Sequence, residues 1–85
     1  MISIKDIKIL TLMNVNERLN PYKASSVYDI VKYYDDLDSS ISLPTIRRSL
    51  SKLLEEGYVK EGYKRGKNKT YYISDEGIKL LSEII

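Results

Sequence analysis

Near the middle of the chain, a group of cationic and hydroxyl side chains is spaced so that it could bind a ligand through hydrogen bonds. Thr45, Arg48 and Lys52 lie at i, i+3 and i+7. Arg47 and Ser51 lie beside them at i and i+4, so on a helix all five share one side. Arginine presents a planar fork of donors, while lysine and the hydroxyls add single donors. Such a surface suits phosphate oxygens or the edges of nucleic-acid bases.

The apolar residues of the same segment lie opposite this polar side. They recur at i, i+4, i+7 and i+8 and are Ile46, Leu50, Leu53 and Leu54. Ser42 before Pro44 is a helix start signal and Gly57 is an end signal, which predicts a helix over about residues 43–56. The spacing alone favours an ordinary amphipathic helix with a polar outer side, so the binding interpretation needs support from elsewhere.

A second group of cations follows this helix in a short loop that contains no acidic residue. The group consists of Lys64, Arg65, Lys67 and Lys69. The loop separates two runs rich in strand-forming residues, 58–63 and 70–73, which predicts a β-hairpin over residues 58–73. Flexible cations at a hairpin tip suit phosphate contact. Lysines also discourage pairing of exposed strand edges, and both roles are compatible with the sequence.

The charge of the 85-residue chain is unevenly distributed. Residues 44–72 hold eight basic and three acidic side chains, a net charge of +5. Residues 1–43 carry −1 and residues 73–85 carry −2, so the whole chain has a net charge of only +2. A basic block within an otherwise acidic chain indicates a polyanion-binding face, although a solvated lysine-rich loop has the same composition.

Several classes of site are excluded by composition. The chain has no cysteine and no histidine, which excludes thiolate zinc sites and Ser-His-Asp or Cys-His catalysis. Asp35, Asp36 and Asp38 lack EF-hand spacing and are interpreted as a solvated loop. We therefore predict no enzymatic activity, no cofactor and no metal. Apolar stretches are too short to span a membrane, which favours a cytoplasmic protein without a membrane partner.

The remaining elements are helices with recognisable ends. Ser3 and Asp6 form a capping box that opens the first helix, and Asn20-Pro21 is expected to stop it. Ser74 caps the last helix. The predicted helices outside residues 43–56 cover about residues 3–19, 25–34 and 75–85. The order helix, helix, helix, hairpin, helix indicates one α+β domain over residues 1–85.

The segment from Ser42 to Val59, SLPTIRRSLSKLLEEGYV, resembles the recognition-helix segment of MarR- and PadR-type regulators. Shared features are a small capping residue, a Thr-hydrophobic-x-Arg core, two spaced leucines and a Gly-x-Val exit. The later stretch GKNKTYYISDEGIKLL is similar to the PadR-type wing, aromatic-rich strand and acidic-Gly turn. The resemblance covers about residues 22–81. It implies a winged helix-turn-helix fold with a three-helix core, a β-hairpin wing and a C-terminal helix.

Charge, helix pattern and resemblance together favour a sequence-specific, double-stranded-DNA-binding transcriptional regulator. Arg47 and Arg48 are then expected at base edges. The other predicted DNA-binding residues contact phosphates: Ser42, Thr45, Ser51 and Lys52 on the helix, and Lys64, Arg65, Lys67 and Lys69 on the wing. Two alternatives stay open, a winged-helix protein-interaction module of a transcription or replication assembly and a nonspecific architectural DNA-binding protein.

The first helix carries more apolar residues than one core contact requires. One apolar face contains Ile7, Leu10 and Met13, and a second contains Ile9, Leu12 and Val15. The last helix ends in the apolar pair Ile84-Ile85. Because unexplained apolar surface commonly lies in symmetric interfaces, we predict a homodimer formed through helix 1 and the C-terminal helix.

Overall fold

The computed structural model describes residues 2–37 and 39–84. Over these residues it contains four α-helices and a two-stranded antiparallel sheet in the predicted order, an α+β fold. The elements are α1 (Ile4–Val15), a 3-10 turn (Pro21–Lys23), α2 (Val27–Asp35), α3 (Leu43–Glu55), β1 (Val59–Glu61), β2 (Tyr71–Ile73) and α4 (Asp75–Ile84). Of the predicted features, Asp38 and Ile85 lie outside the described residues.

Serine side chains begin all four helices; the sequence predicts the caps at Ser3, Ser42 and Ser74 and a start of α2 at about residue 25. Ser3 and Ser26 form reciprocal capping boxes with the acidic residue three positions later. Ser42 Oγ accepts from the Thr45 amide at 3.3 Å, and Ser74 Oγ accepts from the Gly77 amide at 3.1 Å. The helix starts follow the sequence because a cap joins residues only three positions apart.

Helix α1 ends at Val15, four residues before the predicted end. Asn16 turns its side-chain amide onto the Leu12 carbonyl at 2.7 Å, and Glu17 has a left-handed φ of 58°. The chain then places Arg18 so that its carbonyl accepts from the Ile73 amide at 2.8 Å. The Asn20-Pro21 pair caps the 3-10 turn instead of ending the helix. The prediction of a helix to residue 19 was therefore wrong.

The strands of the hairpin are shorter than predicted, and a third segment joins them. β1 and β2 pair with Val59 opposite Ile73 and Glu61 opposite Tyr71. Ser25 exchanges backbone hydrogen bonds of 2.7 and 2.8 Å with Tyr71 on the open edge of β2. This isolated bridge attaches the start of α2 to the wing, a connection that strand propensity alone did not indicate.

The core lies between all four helices and the sheet. Its largest fully buried side chains include Ile9, Leu10, Met13, Ile30, Ile46, Leu50, Leu53, Val59 and Ile73. Helix α1 runs through the middle, in contact with α2, α3, α4 and β2. Packing on several sides buries Ile9 and Leu12, which the sequence pattern had assigned to a surplus surface. That part of the dimer argument was wrong, whereas Val15 remains exposed. Ile4, which the dimer prediction did not use, is exposed as well.

One of the four residues predicted to form the buried face of α3 is exposed. Leu54, in the last turn of α3, is exposed at the edge of the core, while Ile46, Leu50 and Leu53 are buried. Gly57 follows the helix with φ +84°, the left-handed conformation that favours glycine and turns the chain towards β1. Within the described ranges, none of the helices has the length and apolar character needed to cross a membrane.

Candidate nucleic-acid interface

The outer side of α3 carries the predicted polar residues on a rigid support. Ile46, Leu50 and Leu53 anchor the helix in the core, which leaves Arg47, Arg48 and Ser51 exposed and Thr45 half-buried. An amphipathic helix held by its apolar face presents its opposite face at a fixed orientation. The structure therefore gives this surface the rigidity that recognition of a fixed pattern requires.

A groove of about 400 Å³ joins α3 to the wing. Arg47 and Ser51 line it from the helix, and Lys67, Asn68 and Lys69 line it from the wing. Two cationic groups that are separate in the sequence thus face one space. Val27, Tyr28 and Tyr71 complete its walls.

A second groove, of about 290 Å³, lies on the other side of α3. Thr45, Arg48 and Lys52 line it together with Lys5 and Asp6 of α1. Arg47 and Arg48 are neighbours in sequence, and a helix rotates about 100° between neighbours. The two arginines therefore border different grooves, one on each flank of the helix.

The hydroxyls at the start of α3 are engaged within the protein. Ser42 Oγ lies 2.7 Å from Thr45 Oγ1 and also caps the helix. Both residues fix the start of α3, and they border the surface where phosphate contacts were predicted. Their predicted contact with phosphate stays a prediction.

Lys52, predicted to contact phosphate, is paired with a carboxylate of its own chain. Its Nζ lies 2.9 Å from Oδ2 of Asp6, which is only 1% exposed. Burial by itself raises the pKa of Asp6, but hydrogen bonds from Ser3, Ser49 and Lys52 outweigh it and lower the pKa to about 2. Asp6 is therefore ionised at neutral pH and holds the ammonium group of Lys52 towards α1.

The wing cations differ in their surroundings. Arg65 is paired with Asp29 of α2 at 3.1 Å, and Lys69 lies 3.8 Å from the exposed Glu61. The ion pairs found within residues 2–37 and 39–84 involve neither Lys64 nor Lys67, both of which are exposed. Within that part of the chain, the wing therefore presents two unpaired lysines and one weakly paired lysine, while its arginine is exposed but paired with Asp29.

Several residues that line these grooves were not predicted there from the sequence, among them Tyr28, Asn68 and Lys5. Tyr28 lies on the side of α2 opposite its buried residues Ile30, Tyr33 and Tyr34, so the helical spacing could have placed it on the outer face. Asn68 was recognisable as part of the wing loop. Lys5 gave no local signal, because its position beside α3 depends on how α1 packs. No group of three or more acidic side chains able to hold a metal occurs in the part of the chain described.

The fold and this surface together define a winged-helix DNA-binding protein. The sequence is 37% identical over 78 residues to the DNA-binding protein TubR of a Clostridium botulinum C phage, covering 92% of this chain and 90% of that relative. The chain belongs to the TubR family of DNA-binding proteins. No family model matches the sequence.

Solved structures agree with this assignment. The solution structure of the DNA-binding TubR fragment from Clostridium botulinum is 33% identical, with a TM-score of 0.75 over 100% of this chain and 99% of that one. TubR from Bacillus megaterium pBM400 has a TM-score of 0.79 at 22% identity, covering 98% and 86% of the two chains. A PadR family transcriptional regulator from Eggerthella lenta DSM 2243 has a TM-score of 0.69 at 23% identity, covering 92% and 70%. The last two matches confirm the fold implied by the PadR resemblance.

Proposed function

We propose that this protein is a sequence-specific, double-stranded-DNA-binding transcriptional regulator that acts by binding, without catalysis. The observation that carries the proposal is the groove shared by α3 and the wing, in which Arg47 and Ser51 face Lys67 and Lys69. A helix with outward donors beside a cationic hairpin has the charge and shape to engage the duplex backbone and the base edges together. The DNA-binding TubR relative supports the same function.

In this proposal α3 is the recognition helix and enters the major groove. Arg47 and Arg48, on opposite flanks of α3, reach base edges, where an arginine can make two hydrogen bonds to guanine. Thr45 and Ser51 border them and contact phosphates. Because a helix in the major groove lies between two phosphate backbones, the grooves on both sides of α3 are the places where those backbones run.

The wing supplies backbone contacts through Lys64, Lys67 and Lys69, which are exposed. Lys52 and Arg65 are each paired with a carboxylate, Asp6 or Asp29, which offsets part of the charge that they offer to a phosphate. We therefore assign the direct phosphate contacts of the wing to its three lysines.

We also propose a homodimer through α1 and α4. Ile4 is 89% exposed and Val15 is 71% exposed; they lie three turns apart on one face of α1. Ile84 of α4 is also exposed, and α4 packs against α1. A second copy covering these side chains would remove them from water and bring two recognition helices to one duplex.

Selection of bound fragments from a random duplex pool tests the proposed function. A sequence-specific regulator yields an enriched motif. Binding to every fragment with a steep salt dependence and no motif would indicate an architectural protein. Failure to bind any duplex would indicate a protein-interaction module and overturn the proposal.

A further inference from the structure

The arginine of the wing loop reaches back to α2, although its side chain remains 53% exposed. Nη1 of Arg65 lies 3.1 Å from Oδ2 of Asp29, near the start of α2. Nη2 of the same guanidinium donates to the carbonyl oxygen of Ala24. One side chain therefore connects the wing loop with the segment before α2, at Ala24, and with the first turn of α2, at Asp29. The planar fork of arginine is suited to this geometry, and the single ammonium group of lysine is not.

Both acceptors are themselves held in place. Oδ2 of Asp29 accepts from the Ser26 amide at 2.9 Å in the capping box of α2. Ala24 is buried, and its side chain lies directly against Gly62 at the base of the wing, where a Cβ would collide with it. The segment of residues 24–29 is thus a fixed platform on which the wing is mounted.

The wing needs such a support because its own pairing is short. β1 and β2 contain three residues each, and a hairpin without further contacts is marginally stable in water. The tip is closed by the Arg65 and Asn68 backbone pair, with hydrogen bonds of 3.1 and 3.0 Å. The base of the wing is also held by the Ser25 and Tyr71 backbone pair and by the Tyr63 amide, which donates to the Pro21 carbonyl at 3.3 Å. At the tip, the Arg65 side chain adds a tether to α2.

We propose that Arg65 and Asp29 are a positioning pair that sets the wing over the recognition helix, and that Arg65 does not itself contact DNA. The pair keeps Lys67 and Lys69 at the groove that they share with Arg47. This inference rests on the proposed DNA-binding function. It adds Asp29, an acidic residue, to the groups on which DNA affinity depends.

Whether Asp29→Asn raises or lowers DNA affinity distinguishes a positioning role of the pair from a purely electrostatic effect. Asp29→Asn removes a negative charge near a polyanion, which by electrostatics alone raises DNA affinity. Asparagine also keeps an oxygen for the Ser26 amide, so the helix cap is retained. A positioning role predicts the opposite, a decrease in affinity of about fivefold. Glu55→Gln is the matched control, because Glu55 is exposed on α3 and takes part in none of the ion pairs found among the described residues. It removes the same charge without touching Arg65 and should raise affinity.

The experiment measures affinity for the motif-containing duplex across a salt series for Arg65→Ala, Asp29→Asn and the double variant. We expect a decrease in all three at an unchanged slope of log affinity against log salt. Arg65→Ala and the double variant should be equal, because Arg65→Ala already removes both contacts of the tether, whereas Asp29→Asn leaves the contact with the Ala24 carbonyl. Lys67→Ala should lower that slope by about 0.9, the value for one neutralised phosphate. The inference is overturned if Arg65→Ala lowers the slope in the same way while Asp29→Asn raises affinity.

Amide hydrogen exchange of residues 64–69 gives a readout that does not require DNA. Asp29→Asn should accelerate exchange in the wing loop at an unchanged unfolding midpoint, because only the tether is removed. Unchanged exchange in the wing would refute the positioning pair even if DNA binding were normal. If the wild-type protein bound no DNA while exchange responded as expected, the proposed function would fail and the tether itself would stand.

Discussion

Lys52 of the recognition helix and Asp6 of α1 form an ion pair of 2.9 Å across the second groove. The two residues are 46 positions apart in the sequence. The carboxylate is buried and the ammonium group is half-exposed. The pair ties the recognition helix to the first turn of α1, so it helps to fix the position of one helix relative to the other.

The low pKa of Asp6 predicts a dependence of stability on acid. The pKa is about 2 in the folded protein, below the ordinary value of 3.8, so the folded state binds this proton more weakly than the unfolded state. The stabilisation is complete above about pH 4 and is lost as the pH falls towards 2, amounting to about 2 kcal/mol. Urea unfolding of the wild type and Asp6→Asn between pH 2.5 and 6 measures it. An equal pH dependence in both proteins would contradict the assignment.

Removing the hydroxyl groups of two adjacent tyrosines should change the stability of the protein in opposite directions. Tyr33 Oη bonds to Arg18 Nε at 2.7 Å and to Ser25 Oγ at 2.8 Å. Tyr34 Oη is buried without a hydrogen-bond partner among the described residues, and burial followed by the charge of Asp6 raises the pKa of Tyr34. We expect Tyr33→Phe to cost about 1–2 kcal/mol and Tyr34→Phe to stabilise by about 1 kcal/mol. Thermal unfolding measures both, and destabilisation by Tyr34→Phe would show that its hydroxyl is satisfied.

Substitutions on the buried face of the recognition helix should lower stability, whereas substitutions on its exposed face should leave stability nearly unchanged. Leu50 is fully buried, and Leu50→Ala should lower the free energy of unfolding by about 2–5 kcal/mol. Arg47→Ala and Arg48→Ala remove exposed side chains and should change stability by less than about 0.5 kcal/mol. Denaturant unfolding of the three variants provides the comparison. A large decrease in stability in either arginine variant would assign that side chain to the fold.

The proposed dimer predicts a concentration-dependent mass. Sedimentation at tens of micromolar protein should give a dimer, and Val15→Glu should convert it to a monomer because it places a charge in the apolar interface. Leu37→Glu is the matched control, since Leu37 is an exposed apolar residue outside α1 and α4. A monomer at this concentration, with or without DNA, would contradict the proposal.

Features that depend on neighbouring residues were predictable from the sequence. The capping serines and Gly57 act over three or four positions, and the buried face of α3 follows from helical spacing. The resemblance to PadR-type regulators added the arrangement of wing and helix, which spacing alone could not provide.

The features that were missed depend on residues distant in sequence. The end of α1 is set by the Arg18 carbonyl bonding to the Ile73 amide, not by Asn20-Pro21. The partners of Lys52 and Arg65 are carboxylates on other helices. Because these carboxylates are distant in the sequence, it gave no sign that the two cations form ion pairs. The burial of Ile9 and Leu12 required knowing that α1 is surrounded by other elements.

The separate roles of helix and wing are the central claim, and affinity for matched duplexes across a salt series tests it most directly. The proteins compared are the wild type, Arg47→Ala, Arg48→Ala and the combined Lys64→Ala, Lys67→Ala, Lys69→Ala variant. The duplexes are the selected motif and a scrambled sequence of equal length. Each protein is titrated with both.

Each arginine variant should bind the selected duplex about 1–3 kcal/mol more weakly and the scrambled one almost unchanged. The wing variant should weaken binding to both duplexes nearly equally and lower the salt slope by about 0.9 for each phosphate that it no longer neutralises. A change of base preference in the wing variant alone, with arginine variants that weaken both duplexes alike, would contradict this assignment of roles.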